Sequence, residues 1–203
     1  MACGIIVAKG GCRVCGRYNF TAEDSEEIRN IIREVQNNLD VPIKTGEIYP
    51  TNAVPVLLPD CPIAMLWGFP HFKGSGVIIN ARAETVTDKR MFRESVMTCR
   101  CVIPSTGFYE WKRDGNAKTK YLFRMPEQAE LYMAGFYNRF NDKDGEEKGR
   151  FVILTTAANE SMLDIHDRMP VILRPDERDV WMHDGDFDRI FDRKDVMLEH
   201  VQA

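Results

Sequence analysis

From Ile48 to Ala157 most of the chain reads as short runs rich in branched and aromatic residues, each closed by proline, glycine or a polar turn. Runs this short, so punctuated, are strands rather than helices, and they commit the chain to a folded sheet. Ala53–Leu58, Ile63–Trp67, Gly76–Ile79, Cys101–Ile103, Phe108–Lys112, Tyr121–Met125, Leu131–Phe140, Phe151–Ala157 and Val171–Leu173 are the strand candidates. Asn141–Gly149 is charged and glycine-containing, as a hairpin loop is. Against this background the helices stand out. Thr21 to Leu39 carries Ile28, Ile31, Ile32, Val35 and Leu39 on one stripe, with Thr21 as its cap, Asp24 three residues on in an imperfect capping box, and Asn37-Asn38 and Pro42 as its stop. Asp88–Thr98 reads as a second helix, and Asn159–Asp164 and Asp176–His183 as short ones. With 203 residues, no repeat and no linker, the expectation is a single α+β domain: a mainly antiparallel, barrel-like sheet with a few covering helices.

At 44% hydrophobic and 29% charged residues, the composition is that of a soluble globular chain, and no apolar run reaches the roughly 20 residues of a membrane span. A net charge of −4 excludes a basic surface overall, so any nucleic-acid contact must be a local groove. Six cysteines without a secretory signal point to reduced thiols in the cytoplasm. Cys12-x-x-Cys15 has the spacing of a zinc half-site. Zinc requires four ligands, and Cys99-x-Cys101 has one residue between its cysteines rather than two, so neither metal nor cofactor is expected. A monomer is expected.

Five stretches carry chemistry. Cys15 opens Cys15-Gly16-Arg17-Tyr18. With a free α-amine it would be a 1,2-aminothiol, its amine titrating at about 7.7–8 against about 10.4 for lysine. Such an amine attacks an aldehyde to give a Schiff base, and the thiol closes onto the same carbon as a five-membered ring. In Asn80-Ala81-Arg82-Ala83-Glu84 the polar residues share one face of a strand. Asn80 is suited to orient an amine or carbonyl and Arg82 to hold a phosphate, although a solvated edge strand gives the same pattern. Glu110 stands among Phe108, Tyr109 and Trp111; burial there would raise its pKa into the range of a proton shuttle, whereas at the surface it would simply pair with a cation. His166 lies in the dense polar run His166-Asp167-Arg168-Met169-Pro170, as an acid–base group or as the cap of a turn. Trp67, beside Gly68, is either a base-stacking platform or core.

Taken in order, Cys15-Gly16-Arg17-Tyr18, Trp67-Gly68, Asn80–Thr85, Arg100-Cys101, Gly107-Phe108-Tyr109-Glu110-Trp111, Ala134-Gly135 and His166–Pro170 resemble the SOS-response-associated peptidase (SRAP) family, also known as abasic-site processing proteins. Each piece alone is weak; the ordered set over Cys15 to about Trp181 is specific. The resemblance implies binding to single-stranded DNA containing abasic sites and a covalent thiazolidine through an N-terminal cysteine. It implies Cys15 as nucleophile, Asn80 as orienter of its amine, Glu110 as proton shuttle and His166 as the group that stabilises the opened sugar. It implies Arg17 and Arg82 as phosphate contacts, Trp67 as a stacking platform, and an autopeptidase activity that frees the cysteine. The family begins with methionine directly before that cysteine, and here Val14 stands in its place. Residues 1–14 are therefore expected to be a leader, from a start assigned too early or from a removed segment, ahead of a working domain at 15–203. Two rival readings remain at this level. One is a cysteine hydrolase acting on other proteins with Cys15, His166 and Glu110; the other is a metal or redox module built on Cys12 and Cys15.

Overall fold

A computed structural model describes residues 15–23, 25–38, 43–71, 74, 76–142, 145–183 and 187–203. The expectations placed on residues 1–14 (Cys12 among them), on Asp24, on Leu39 and Pro42 and on part of the 141–149 loop lie outside the described residues.

In chain order the strands are β1 Arg17–Phe20, β2 Gly46–Ile48, β3 Ala53–Leu57, β4 Pro62–Trp67, β5 Phe69–Pro70, β6 Val77–Ile78, β7 Asn80–Arg82, β8 Arg100–Ser105, β9 Gly107–Asp114, β10 Ala117–Arg124, β11 Leu131–Asn141, β12 Glu147–Ala157, β13 Arg168–Pro170, β14 Ile172–Leu173 and β15 Glu199–Gln202. The helices are α1 Glu26–Asn38, α2 Arg90–Thr98 and α3 Glu177–His183. Pairing runs β12–β4–β3–β8–β11 and back to β12, which closes a five-stranded barrel. The β12–β4 contact, Phe151 against Trp67, is parallel and the other contacts of the ring are antiparallel. β7 adds to β12 in parallel, and β13 and β14 extend the sheet. The expected barrel-like, mainly antiparallel α+β domain is what forms.

β8 and the inner stretches of β11 and β12 are buried on both faces, which is why Cys101–Ile103, Leu131–Phe136 and Phe151–Leu154 are apolar runs rather than alternating. Cys101, Ile103, Met133, Phe151 and Ile153 face one core with Val54, Val56 and Trp67. Val102, Ala134, Phe136, Val152 and Leu154 face another, closed by Phe92 and Val96 of α2 and Trp181 of α3. Gly135 sits where β8, β11 and β12 cross. A Cβ there would come within 2.3 Å of Ile103 Cδ1 and 2.7 Å of the Val152 carbonyl oxygen. Gly135→Ala is expected to cost about 1–3 kcal/mol through overpacking. Urea unfolding checks this, and an unchanged midpoint would mean the barrel is looser than described.

A second sheet, β15-β10-β9-β1-β2, lies beyond the barrel. The chain passes directly from β8 to β9 through Thr106 and Gly107. Gly107 has φ +145, and a Cβ there would sit 2.6 Å from the Phe123 carbonyl oxygen. Thr106 clamps the joint to β1: its N–H donates to the Asn19 carbonyl at 2.8 Å, and its Oγ1 accepts from Asn19 Nδ2 at 3.0 Å. Phe108 and Phe123 pair across β9 and β10 with ring centroids 5.1 Å apart, and with Tyr18, Phe20 and Ile48 they tie this sheet to the first core.

Two local expectations are corrected. The cap of α1 is Ser25, whose Oγ accepts from Ile28 N–H at 3.0 Å, while Thr21 spends its hydroxyl on Thr106. Asn159–Asp164 is not a helix but a run of turns. The Asn159 side chain donates to the carbonyls of Arg193 and Val196 at 2.8 and 2.6 Å, anchoring the run to the C-terminal segment instead of to a following helical turn. Among the described residues no helix is long and apolar enough to cross a membrane.

Candidate active site

Cys15 leads into β1 at the seam between barrel and second sheet and is fully buried. Its φ is +47, a left-handed backbone that a non-glycine residue adopts only under constraint. The constraint is a hydrogen bond. The Cys15 backbone nitrogen donates to Glu110 Oε2 at 2.8 Å, and Trp111 N–H donates to Glu110 Oε1 at 3.1 Å. The thiol points forward along the chain, with Sγ 3.7 Å from the Arg17 carbonyl oxygen.

Glu110 reaches this position by strand alternation. On β9, Phe108 and Glu110 face inward, and Tyr109 and Trp111 face the other side. The expectation that three aromatics enclose Glu110 is therefore corrected. Only Phe108 shares its face, and the carboxylate, 4% exposed, is buried by its place between the two sheets. That burial raises its pKa above the ordinary carboxylate range, against the pull of the Cys15 N–H and the His166 charge. Burial, and then the charge of Glu110, push the Cys15 thiol well above its usual value.

His166 arrives on the turns after Ala158, its N–H held by the Met162 carbonyl at 3.0 Å. Its Nδ1 lies 3.1 Å from Arg168 N–H and 3.1 Å from Asp167 Oδ1. An amide can only donate, so in the neutral ring Nδ1 accepts from Arg168 and the proton sits on Nε2. In the cationic ring Nδ1 has the carboxylate instead. Arg168 is fixed in turn by a two-point ion pair with Glu84, at 2.6 and 2.9 Å, and by the Thr155 carbonyl at 2.6 Å. The motif at Asn80–Thr85 and the motif at His166–Pro170 thus meet across β7, β12 and β13, where Thr155 pairs with both Arg82 and Pro170.

Cys15 and Glu110 are hydrogen-bonded to each other, and the charge of His166 acts on Glu110. Asn80 is half-buried on β7 and Arg82 exposed on the same strand, with Ala81 turned into the core as the alternation predicts; the strand ends there, and Ala83–Thr85 is a 3-10 turn that buries Ala83. Arg17 projects from the opposite face of the second sheet, where Nη1 donates to Glu47 Oε1 at 3.0 Å. The stacking role of Trp67 is corrected. Its indole is fully buried, donates to the Ile79 carbonyl at 3.1 Å and packs against Tyr18 and Phe151, so it presents no face to a base.

Sequence reasoning missed Tyr18, Glu47 and Lys120. The Tyr18 hydroxyl is buried beside Cys15, with no hydrogen-bond partner among the described residues. Strand alternation could have turned it inward; nothing in the sequence pairs Glu47 with Arg17 and Lys120, because β2, β1 and β10 are distant along the chain.

The family model described as SOS response associated peptidase (SRAP) matches residues 14–201. The abasic site processing protein YoqW of Bacillus subtilis is 34% identical over 186 residues, covering 84% of this chain and 80% of that protein. The abasic site processing protein YobE of the same organism is 32% identical, covering 84% and 82%. A crystal structure of a protein from Bacteroides thetaiotaomicron superposes with a TM-score of 0.76 at 25% identity, covering 93% of this chain and 91% of that one.

Proposed function

Because the chain belongs to the SOS response-associated peptidase family, we propose that it captures abasic sites in single-stranded DNA as a thiazolidine on a free amino terminus at Cys15. The observation that carries this reading is the 2.8 Å hydrogen bond from the Cys15 nitrogen to a buried carboxylate. Freed from residue 14, that nitrogen is an amine held against a group able to take its proton. The names of the relatives, abasic site processing proteins, support the same substrate.

Glu110 shuttles the proton that opens the deoxyribose to its aldehyde, and the neutral Cys15 amine attacks that carbon. Loss of one water gives the Schiff base. The Cys15 S–H then adds across the C=N bond, sulfur to carbon and hydrogen to nitrogen, with nothing further lost. Asn80 orients the amine. His166, protonated at Nε2 by the Arg168 contact at Nδ1, donates to the oxygen of the opened sugar. Arg17 and Arg82 hold flanking phosphates. A hydrolase acting on other proteins would need a Cys15 thiolate, and burial disfavours that form.

The same residues suit removal of a leader at 1–14. The left-handed φ of Cys15 is a torsion about its own N–Cα bond, defined by the carbonyl carbon of residue 14, and the constraint ceases to exist once residue 14 is gone. The family match begins at residue 14.

A gel-shift time course on abasic single-stranded DNA, with unmodified DNA as control, tests the proposal. A heat-stable band on the abasic strand alone is expected, and its absence overturns the reading. Arg82→Ala is expected to weaken binding and to flatten the log–log salt slope by roughly 0.7, one phosphate contact on a single strand. An unchanged slope would remove Arg82 from the interface.

A further inference from the structure

On the outward face of the second sheet, Glu47 of β2 receives two cations on one oxygen. Arg17 Nη1 of β1 lies 3.0 Å and Lys120 Nζ of β10 2.9 Å from Glu47 Oε1. The three side chains are 24–37% exposed, so the cluster lies open at its rim. Aromatic rings form its floor. The Arg17 guanidinium lies 4.4 Å from the centroid of Tyr49 and 5.2 Å from that of Trp111, and Lys120 Nζ lies 3.9 Å from that of Tyr109. Tyr109 and Trp111 are the residues on either side of Glu110, turned to the opposite face of β9. Arg17 is two residues from Cys15, at most about 7 Å along the chain. Burial alone would raise the Glu47 carboxyl; hydrogen bonds from Lys120 and Arg17 hold it below its ordinary range, so it stays an anion.

We infer that Arg17 and Lys120 form a seat for one phosphodiester beside the captured sugar, and that Glu47 occupies this seat as an internal anion until DNA displaces it. The inference rests on the proposed capture of single-stranded DNA and adds Lys120 and Glu47 to it. A phosphodiester spreads its single negative charge over two non-bridging oxygens and can meet each cation with its own oxygen, whereas the carboxylate serves both cations with one. The two cations over an aromatic floor have the composition of a single-strand binding groove, with Glu47 standing where a phosphate would. Glu47 leaves the cluster with one net positive charge instead of two. Undamaged strands are therefore held weakly, and retention depends on covalent capture.

The test is the salt dependence of binding to an unmodified single-stranded oligonucleotide. Glu47→Gln raises the cluster charge by one, so tighter binding by several-fold and a log–log slope steeper by roughly 0.7 are expected. Lys120→Gln should weaken binding and flatten the slope by about the same amount, and the double variant should return near the parent. If the parent protein binds in a salt-dependent way and crosslinks abasic DNA, yet both single variants leave the slope unchanged, the seat is wrong and the capture reading stands. If the parent shows no salt-dependent binding, both fall. Should Glu47→Gln not fold by circular dichroism, the Lys120→Gln slope alone decides.

Discussion

A Cys15→Ser protein is expected to form no heat-stable adduct with abasic single-stranded DNA. The substitution keeps the backbone nitrogen, its hydrogen bond to Glu110 and, once residue 14 is gone, the amine. It removes the sulfur that closes the ring. The reaction should stop at a reversible Schiff base, invisible after heating but trapped by borohydride. Loss of the stable band together with gain of the trapped one separates the amine from the thiol as two functions of one residue. A heat-stable band from Cys15→Ser without reductant would show that the ring is not a thiazolidine.

Glu110→Gln is expected to slow crosslinking by about 10²–10⁴-fold, the usual cost of removing a general acid–base group. Glutamine keeps an oxygen to accept from the Cys15 nitrogen, so binding of the strand should change little. The pH profile gives a second readout. Burial raises the Glu110 pKa above the ordinary carboxylate value. As a base it must be ionised, so the rate should fall as pH drops through that raised value, at a higher pH than an exposed glutamate would give. The Glu110→Gln profile should lack this limb. Stability runs the other way. A carboxyl whose folded pKa is raised contributes most below its unfolded pKa and loses that contribution as pH rises through the folded one. Glu110→Gln should therefore melt no lower than the parent at alkaline pH. A lower melting point there, with an unchanged pH–rate limb, would make Glu110 a structural residue.

The strands of the barrel were legible because both of their faces are buried, which writes them as unbroken apolar runs. Val102, Ala134 and Val152 needed no partner in the sequence to be recognised as core. β1, β2 and β15 were not legible. They are short and half polar, and are strands because of what lies beside them: β9 beside β1, β1 beside β2 and β10 beside β15. The site divides along the same line. Residue type and local alternation reveal Asn80, Arg82, Glu110 and His166 as a polar set. The bond that organises it joins Cys15 to Glu110 across 95 positions, and no spacing rule reaches that far. Trp67 shows the opposite failure. A tryptophan beside a glycine looks available, but here Gly68, at φ +109 with the Val77 side chain 2.8 Å from its missing Cβ, lets two strands close over the indole. Glu84 belonged visibly to its motif, and its work of holding Arg168, and through it His166, appears only in three dimensions.

The central claim is that the captured carbon is bonded to both atoms of an amino-terminal Cys15. Intact and tandem mass spectrometry of the purified adduct with an abasic oligonucleotide tests it most directly. The account predicts the mass of the chain beginning at Cys15 plus the oligonucleotide minus one water, with fragmentation placing the added mass on Cys15. An adduct on a lysine, or an active protein that retains residues ahead of Cys15, would contradict it.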